Sequence, residues 1–435
     1  MVDITLTDLS ALATASRGTP QVASPALPRL ISIWEITSWI LPMAPEHLRR
    51  VLAAEPDLPQ GSAGVEGGTR WFTAAEVARL RDYFGPRSRK GRYLPQRVSG
   101  ALAPLITMAQ PQGNVGRSTA VLHLATAAAL AGYRVLLIDA DPSGQLANAL
   151  RVTAGTDNGV LALIARSAAL HLRQSNEARL DRGEDPAPMP EALSAALSIQ
   201  TSDLIHPSLW PGLDVLPAAQ GLMQADLQIS SWRMAQRNWQ PWRALSEALT
   251  TEGLRNRYDL IFCDTGRGLG PLALSMLASA DVLLAPVPMT AAHLNAPPAL
   301  EWLGAGLEAL AQALSAVQAE AQMTARALGR SAPALSWRRL AVLPTRAGPE
   351  APQALASYAA RLGEVLLPAA LPEIAQIANG TAQQFYDLDY RDVGRLIYAP
   401  HREATEQAWR GLAALVVELW QEDRDGQGSL PLATP

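Results

Sequence analysis

Residues 110–119 read QPQGNVGRST. The run before them, 104–108 (PLITM), is apolar enough for a buried strand, and the run after them, 120–130 (AVLHLATAAAL), has the alanine and leucine content of a helix. A glycine-rich turn from strand to helix, closing on the hydroxyl pair Ser118 and Thr119, is the place for a phosphate-binding loop. Backbone N–H groups of Gly113, Asn114, Val115, Gly116, Arg117, Ser118 and Thr119, with the N-terminus of the following helix, would cradle a polyphosphate there. Arg117 stands where such loops carry lysine. It keeps the positive charge in a planar group bulkier than an ammonium.

The same alternation repeats down the chain. Apolar runs at 134–139 (RVLLID), 212–218, 258–264 (YDLIFCD), 280–287 and 338–345 read as further strands between helical segments, which predicts an α/β fold with a mostly parallel sheet and helices on both faces. Ligands of such sheets bind at the carboxyl ends of the strands. Those ends carry the glycine loop, Asp139 with Asp141, and Asp264. On this reading Ser118 and Asp264 hold a magnesium ion, and of Asp139 and Asp141 one lies near the metal and the other is placed to orient an attacking water. Alone, Asp141-Pro142 reads equally as a turn after a strand.

Composition bounds the rest. The 435 residues, 48% hydrophobic, suffice for two or three domains, and a net charge of -4 means that DNA binding has to come from local patches. One cysteine, Cys263, excludes an internal disulfide and suits a reducing compartment. The N-terminus lacks the basic start and apolar core of a secretory signal, and no uninterrupted apolar stretch reaches about 18 residues. The expectation is a cytoplasmic protein without a membrane segment. Lys90 is the only lysine, so a general drift from lysine to arginine accounts for Arg117 as readily as a tuned site does.

The first hundred residues differ in texture. Segments 17–30 and 54–68 are rich in Pro, Gly and Ser and read as linkers around a short helix, PEHLRRVLAAE. In FTAAEVARLRDYF, Phe72, Val77, Leu80 and Phe84 fall on one helical face, with Thr73 and Glu76 spaced as a capping box. Eight basic residues between 70 and 97 face only Glu76 and Asp82. One reading is a small helix-turn-helix unit that contacts DNA phosphates through Arg79, Arg81, Arg87, Arg89, Lys90 and Arg92; the other is a solvated charged helix. Elsewhere His123 and Cys263 read as packed residues, Trp232, Trp239 and Trp242 as helix packing against the stems of Arg233, Arg237 and Arg243, and 173–192 as a polar, flexible insertion. Arg338, Arg339 and Arg346 border the last strand as weaker DNA candidates. The expected division is an extension and linker (1–68), a helix-turn-helix-like basic segment (69–100), the α/β domain (101–425) and a disordered tail (426–435).

GNVGRSTAVLHLATAAALAGYRVLLIDADPSGQ resembles the deviant Walker A loop and following strand of the ParA/MinD group of P-loop ATPases, and YDLIFCDTGRGLG with ADVLLAPVPM resembles that group's Walker B strand and the next. Within the group the chain is most similar to the ParA-type partition proteins of repABC plasmids, which also carry a helix-turn-helix before the ATPase domain; IAQIANGTAQQFYDLDYRD resembles their segment after the last strand. The resemblance implies ATP and magnesium as cofactors, a nucleotide-dependent homodimer, DNA binding and a ParB- or RepB-like centromere-binding partner. It places the Walker lysine at Arg117, the signature lysine at Gln112, the second glycine at Asn114, the water-orienting aspartate at Asp141, and the metal-side carboxylates at Asp139 and Asp264. Gln112 brings no charge to the transition state. Asn tolerates glycine-like backbone angles better than other residues. Arg267, just past Asp264, is a candidate replacement cation. The expected function is a nucleotide-switched partition protein for plasmid DNA; the alternatives are a non-hydrolysing DNA-binding repressor or scaffold and a positioner of protein cargo.

Overall fold

A computed structural model describes residues 29–63, 70–152, 159–290 and 299–427, apart from single positions 237, 328, 330, 333 and 381. Residues 1–28 and 64–68 of the expected extension, residue 69 of the expected basic segment, Arg237 of the tryptophan group, and 428–435 of the expected tail lie outside the described residues.

The N-terminal part begins with a three-stranded antiparallel sheet in the order β1-β3-β2 (β1 Ile31–Ser32, β2 Ser62–Ala63, β3 Arg70–Phe72). Between β1 and β2 lies α1 (Pro45–Ala54), started by a proline at its first position. After β3 comes α2 (Ala74–Arg87), where Thr73 accepts from the Glu76 N–H and Glu76 reaches back to the cap. Phe72, Val77, Leu80 and Phe84 are all buried, as their spacing predicts. The expected helix-turn-helix within 69–100 differs: among residues 70–100 there is one helix, followed by a single 3-10 turn at Arg89–Gly91.

The main sheet has seven strands in the order β10-β9-β4-β8-β5-β7-β6. Its members are β4 (Leu105–Met108), β5 (Val135–Asp139), β6 (His206–Pro207), β7 (Leu213–Leu216), β8 (Leu260–Asp264), β9 (Val282–Pro288) and β10 (Arg339–Thr345). All neighbours run parallel except the short β6 against β7. The inner strands β4, β5, β8 and β9 are buried along their whole length because both faces are covered. Val135 and Leu137 of β5, like Leu260 and Phe262 of β8, join the core beneath α3 (Arg117–Leu130); Leu136, Ile138, Ile261 and Cys263 join the core on the opposite face, beneath α4 (Val160–Asp181) and α5 (Pro241–Thr251). Two further helices are α6 (Pro271–Ala278) and α7 (Ala299–Ala327), and the last described element is α8 (Arg395–Gln427).

Three other expectations change. Residues 173–181 of the expected flexible insertion are the last turns of α4, and Asn176 fixes the returning chain by bonding both the N–H and the carbonyl of Ala187. The N-terminal helices share one hydrophobic core with the α/β body: Ile31, Phe72, Val77 and Leu80 belong to the same cluster as Val121 and Leu124 of α3 and Leu412 and Trp420 of α8. Arg338 pairs with Glu422 and Asp423 of α8, and Arg339 with Glu422, so both weaker DNA candidates already have acidic partners. Trp232, Trp239 and Trp242 are buried, with the Arg233 guanidinium 4.4 Å from the Trp242 ring centroid, as the packing reading has it. Among the described residues no helix is long and apolar enough to cross a membrane.

Candidate functional site

The glycine loop leaves β4 at the middle of the sheet and enters α3. Asn114 and Gly116 both adopt the left-handed conformation, with φ of 66° and 76°. No side chain caps α3, so its first-turn N–H groups are left for a ligand of opposite charge. The loop is held from both sides. Thr345, at the end of β10, donates to the Val115 carbonyl (2.6 Å), and Arg346 donates to the Asn114 carbonyl (3.0 Å) while pairing with Glu373 (2.7 Å). That pairing ties Arg346, one of the weaker DNA candidates, to the loop. On the other side the Gly268 N–H bonds the Pro111 carbonyl, and the exposed Arg267 lies over Gly113, its Cζ 3.2 Å from where a Cβ would stand. Gly266 adopts φ 70°, and a Cβ there would stand 3.2 Å from the Asp141 Cα, so glycine lets the two segments lie close.

Asp139 and Asp264 are cross-strand partners at the ends of β5 and β8, and Asp141 follows two residues on. Arg117 is 6% exposed and turns inward to them. Its Nε donates to Asp264 Oδ1 (2.6 Å), Nη1 to the Gln110 carbonyl (3.0 Å) and Nη2 to Asp141 Oδ2 (3.4 Å). Asp141 Oδ1 accepts from the Ser143 N–H, and the two oxygens of Asp139 accept from the N–H groups of Asp141 and Ala147. Of the three carboxylates, Asp264 Oδ2 alone is buried without a partner. Burial first, and then the neighbouring Asp264 carboxylate, push the Asp139 pKa up to about 7. Ser118 is half-buried at the start of α3, and so is Thr119; Val115 is buried beneath the loop. Gln112 is half-buried with its amide oxygen unpartnered.

Beside the loop opens a cavity of about 260 Å³ lined by Asn114, Gly116, Thr119, His123, Thr345 and Arg346, and closed by residues 371–378. Its residues 374–378 begin the stretch IAQIANG, whose resemblance gives it a place after the last strand but no contact with the loop. His123 at its floor accepts from the Phe385 N–H through Nε2 (2.9 Å), and burial lowers its pKa to about 3, so it is a neutral packed residue.

The sequence profile of the AAA domain family matches residues 103–321, half of the chain and the whole of this loop-and-carboxylate edge. The chain belongs to that family. It is a P-loop ATPase of the ParA/MinD type, close to plasmid partition proteins. It is 28% identical over 244 residues to a putative replication protein A of Sinorhizobium fredii, covering 54% of this chain and 51% of that protein. It is 27% identical over 218 residues to SopA of Escherichia coli, covering 50% and 47%. The chain thus spans about half the length of the curated relatives it matches. A solved structure described as a partition protein shares the fold, at 17% identity, with a TM-score of 0.53 over 89% of this chain and 95% of the other.

In this ParA/MinD-type chain the six basic residues assigned to DNA separate into two groups. Arg79, Arg87, Arg89, Lys90 and Arg92 are exposed on α2 and the turn after it. Arg81 is buried and donates to the carbonyls of Tyr93, Ile40 and Leu130, which makes it a brace between α2 and α3 instead of a phosphate contact. For a divalent metal the residues do not fit as they stand. Ser118 is in place, but Asp264 and Asp141 already hold a cation, and an ion on Asp264 Oδ2 would sit beside the Arg117 guanidinium.

Proposed function

We propose that the chain is a partition protein in which ATP, bound by residues 113–119, sets self-association and DNA binding, and in which a ParB-like protein is the partner that acts on this switch. One observation carries the reading. The glycine loop is built in full, with its two left-handed residues, its uncapped helix and a cavity for the nucleoside beside it, directly above the paired strand ends of Asp139 and Asp264. Arg267 supplies the exposed cation nearest the loop, in the role that the neutral Gln112 leaves open. The five exposed basic residues from Arg79 to Arg92 supply phosphate contacts with DNA. Light scattering and DNA mobility shifts of the full chain, each with and without ATP, test this. A dimer and tighter DNA binding that both require ATP are expected, and DNA binding indifferent to ATP contradicts the switch.

A second reading, a DNA-binding relative that binds ATP without turning it over, is favoured by one contact. Asp141, the residue that would orient the attacking water, is paired with Arg117. Phosphate release at the buffer background, with ATP binding intact, selects this reading over the first.

A further inference from the structure

We propose that the Arg117 guanidinium is the resident counter-cation of this site, standing on Asp264 where a divalent metal would, so that polyphosphate binding at residues 113–119 needs no metal ion. The inference rests on the nucleotide reading above and concerns what balances the charge there.

Three contacts carry it. Arg117 donates at once to Asp264, to Asp141 and to the Gln110 carbonyl, from three different nitrogens of one planar group. Lysine, a point charge on a flexible stem, could turn away to a phosphate; the guanidinium fork is fixed by partners on two strand ends and on the loop itself. Withdrawing it would leave Asp264, which is fully buried, as an unpaired charge. Withdrawal is also unnecessary. Of the five N–H donors of an arginine, three are used here, and one on each terminal nitrogen remains for a phosphate oxygen.

The carboxylates agree with this assignment. Asp139 and Asp141 spend their oxygens on backbone N–H groups and on Arg117, which leaves Asp264 Oδ2 as the one carboxylate oxygen of the three without a donor. Among the described residues, no group of three or more His, Cys, Asp and Glu is arranged to hold a metal ion. A magnesium ion takes near-octahedral oxygen coordination, and at Asp264 it would have to be assembled against a fixed positive charge.

The test uses the full chain with two probes: Mn2+ alone, followed by paramagnetic resonance, and a fluorescent ATP analogue titrated in magnesium and in EDTA. The native chain is expected to leave Mn2+ free, and to bind the analogue with an affinity that EDTA changes by less than about threefold. Arg117→Ala is expected to take up Mn2+, to lose it again when Asp264→Asn is added, and to show an ATP affinity that falls by more than about tenfold in EDTA. Uptake of Mn2+ by the native chain, lost in Asp264→Asn, overturns the proposal. So does loss of native ATP binding in EDTA, an outcome that needs no variant to fold. Failure to bind the analogue under both conditions counts against the nucleotide reading instead, and the Mn2+ comparison of the native chain with Arg117→Ala then decides this one.

Discussion

Two side chains show how one position is set by its surroundings. Arg267 is exposed above Gly113, where an anion approaching the loop would meet it first. Arg267→Ala is expected to weaken ATP binding about tenfold, and unchanged affinity would remove it from the site. His123 was legible as a packed residue because it sits in an alanine- and leucine-rich helix; its hydrogen bond to the Phe385 N–H, across 262 residues of chain, was not. Its folded pKa lies below the ordinary 6.5, so as pH falls the unfolded chain takes up the proton first. The stability contributed by the neutral ring is therefore complete above about pH 6.5 and is lost toward about pH 3, by up to about 1.4 kcal/mol per pH unit. On acidification from neutral pH to 5, the Tm of the native chain should fall further than that of His123→Asn; equal shifts would contradict the buried neutral ring. The direction in which Arg117 turns could not be read either, since it depends on two aspartates from other strands.

At the scale of elements, local chemistry was the legible part. The strands and α3 follow from uninterrupted apolar runs between glycine turns, and α2 follows from the Thr73–Glu76 box and its apolar face. Thr73→Ala should lower the stability of the chain by about 1 kcal/mol in a denaturant titration, the usual cost of a lost cap. No change would mean that α2 is held by its packing alone. The end of α4 reads as a loop in the sequence because its surface there is polar. Once the buried first half of a helix is formed, adding turns of Gln, Glu, Ala, Arg and Leu is cheap, and the sequence continued the helix for that reason. The helix-turn-helix failed for the opposite reason. Gly91, Pro95 and Gly100 break the chain after α2 before a second helix can start.

At the scale of the whole molecule, the two ends of the described chain are locked together. Arg29 pairs with Glu35 (2.7 Å), and both bond the Tyr398 hydroxyl at the start of α8. Around them Trp34 and Trp39 pack on Tyr390 and Tyr398. Contacts at such separation leave no local pattern, which is why the sequence suggested a linker where the structure has a joint. Glu35→Ala strands the Arg29 charge and should cost about 3–5 kcal/mol. It should lower one shared unfolding transition of the N-terminal helices and the α/β body, and a separate early transition for the N-terminal helices would show that the joint is not part of one core. Over this frame the loop, the carboxylate edge and the cavity lie together, and the account stands on a nucleotide entering there. The direct measurement is calorimetry of ATP against the full chain and against Gly116→Val, whose side chain would need a positive φ and would press on Arg346 and Thr345. Saturable binding by the native chain below millimolar ATP and none by a folded Gly116→Val are expected; no heat of binding to the native chain, or equal binding by both, would contradict nucleotide binding at this loop.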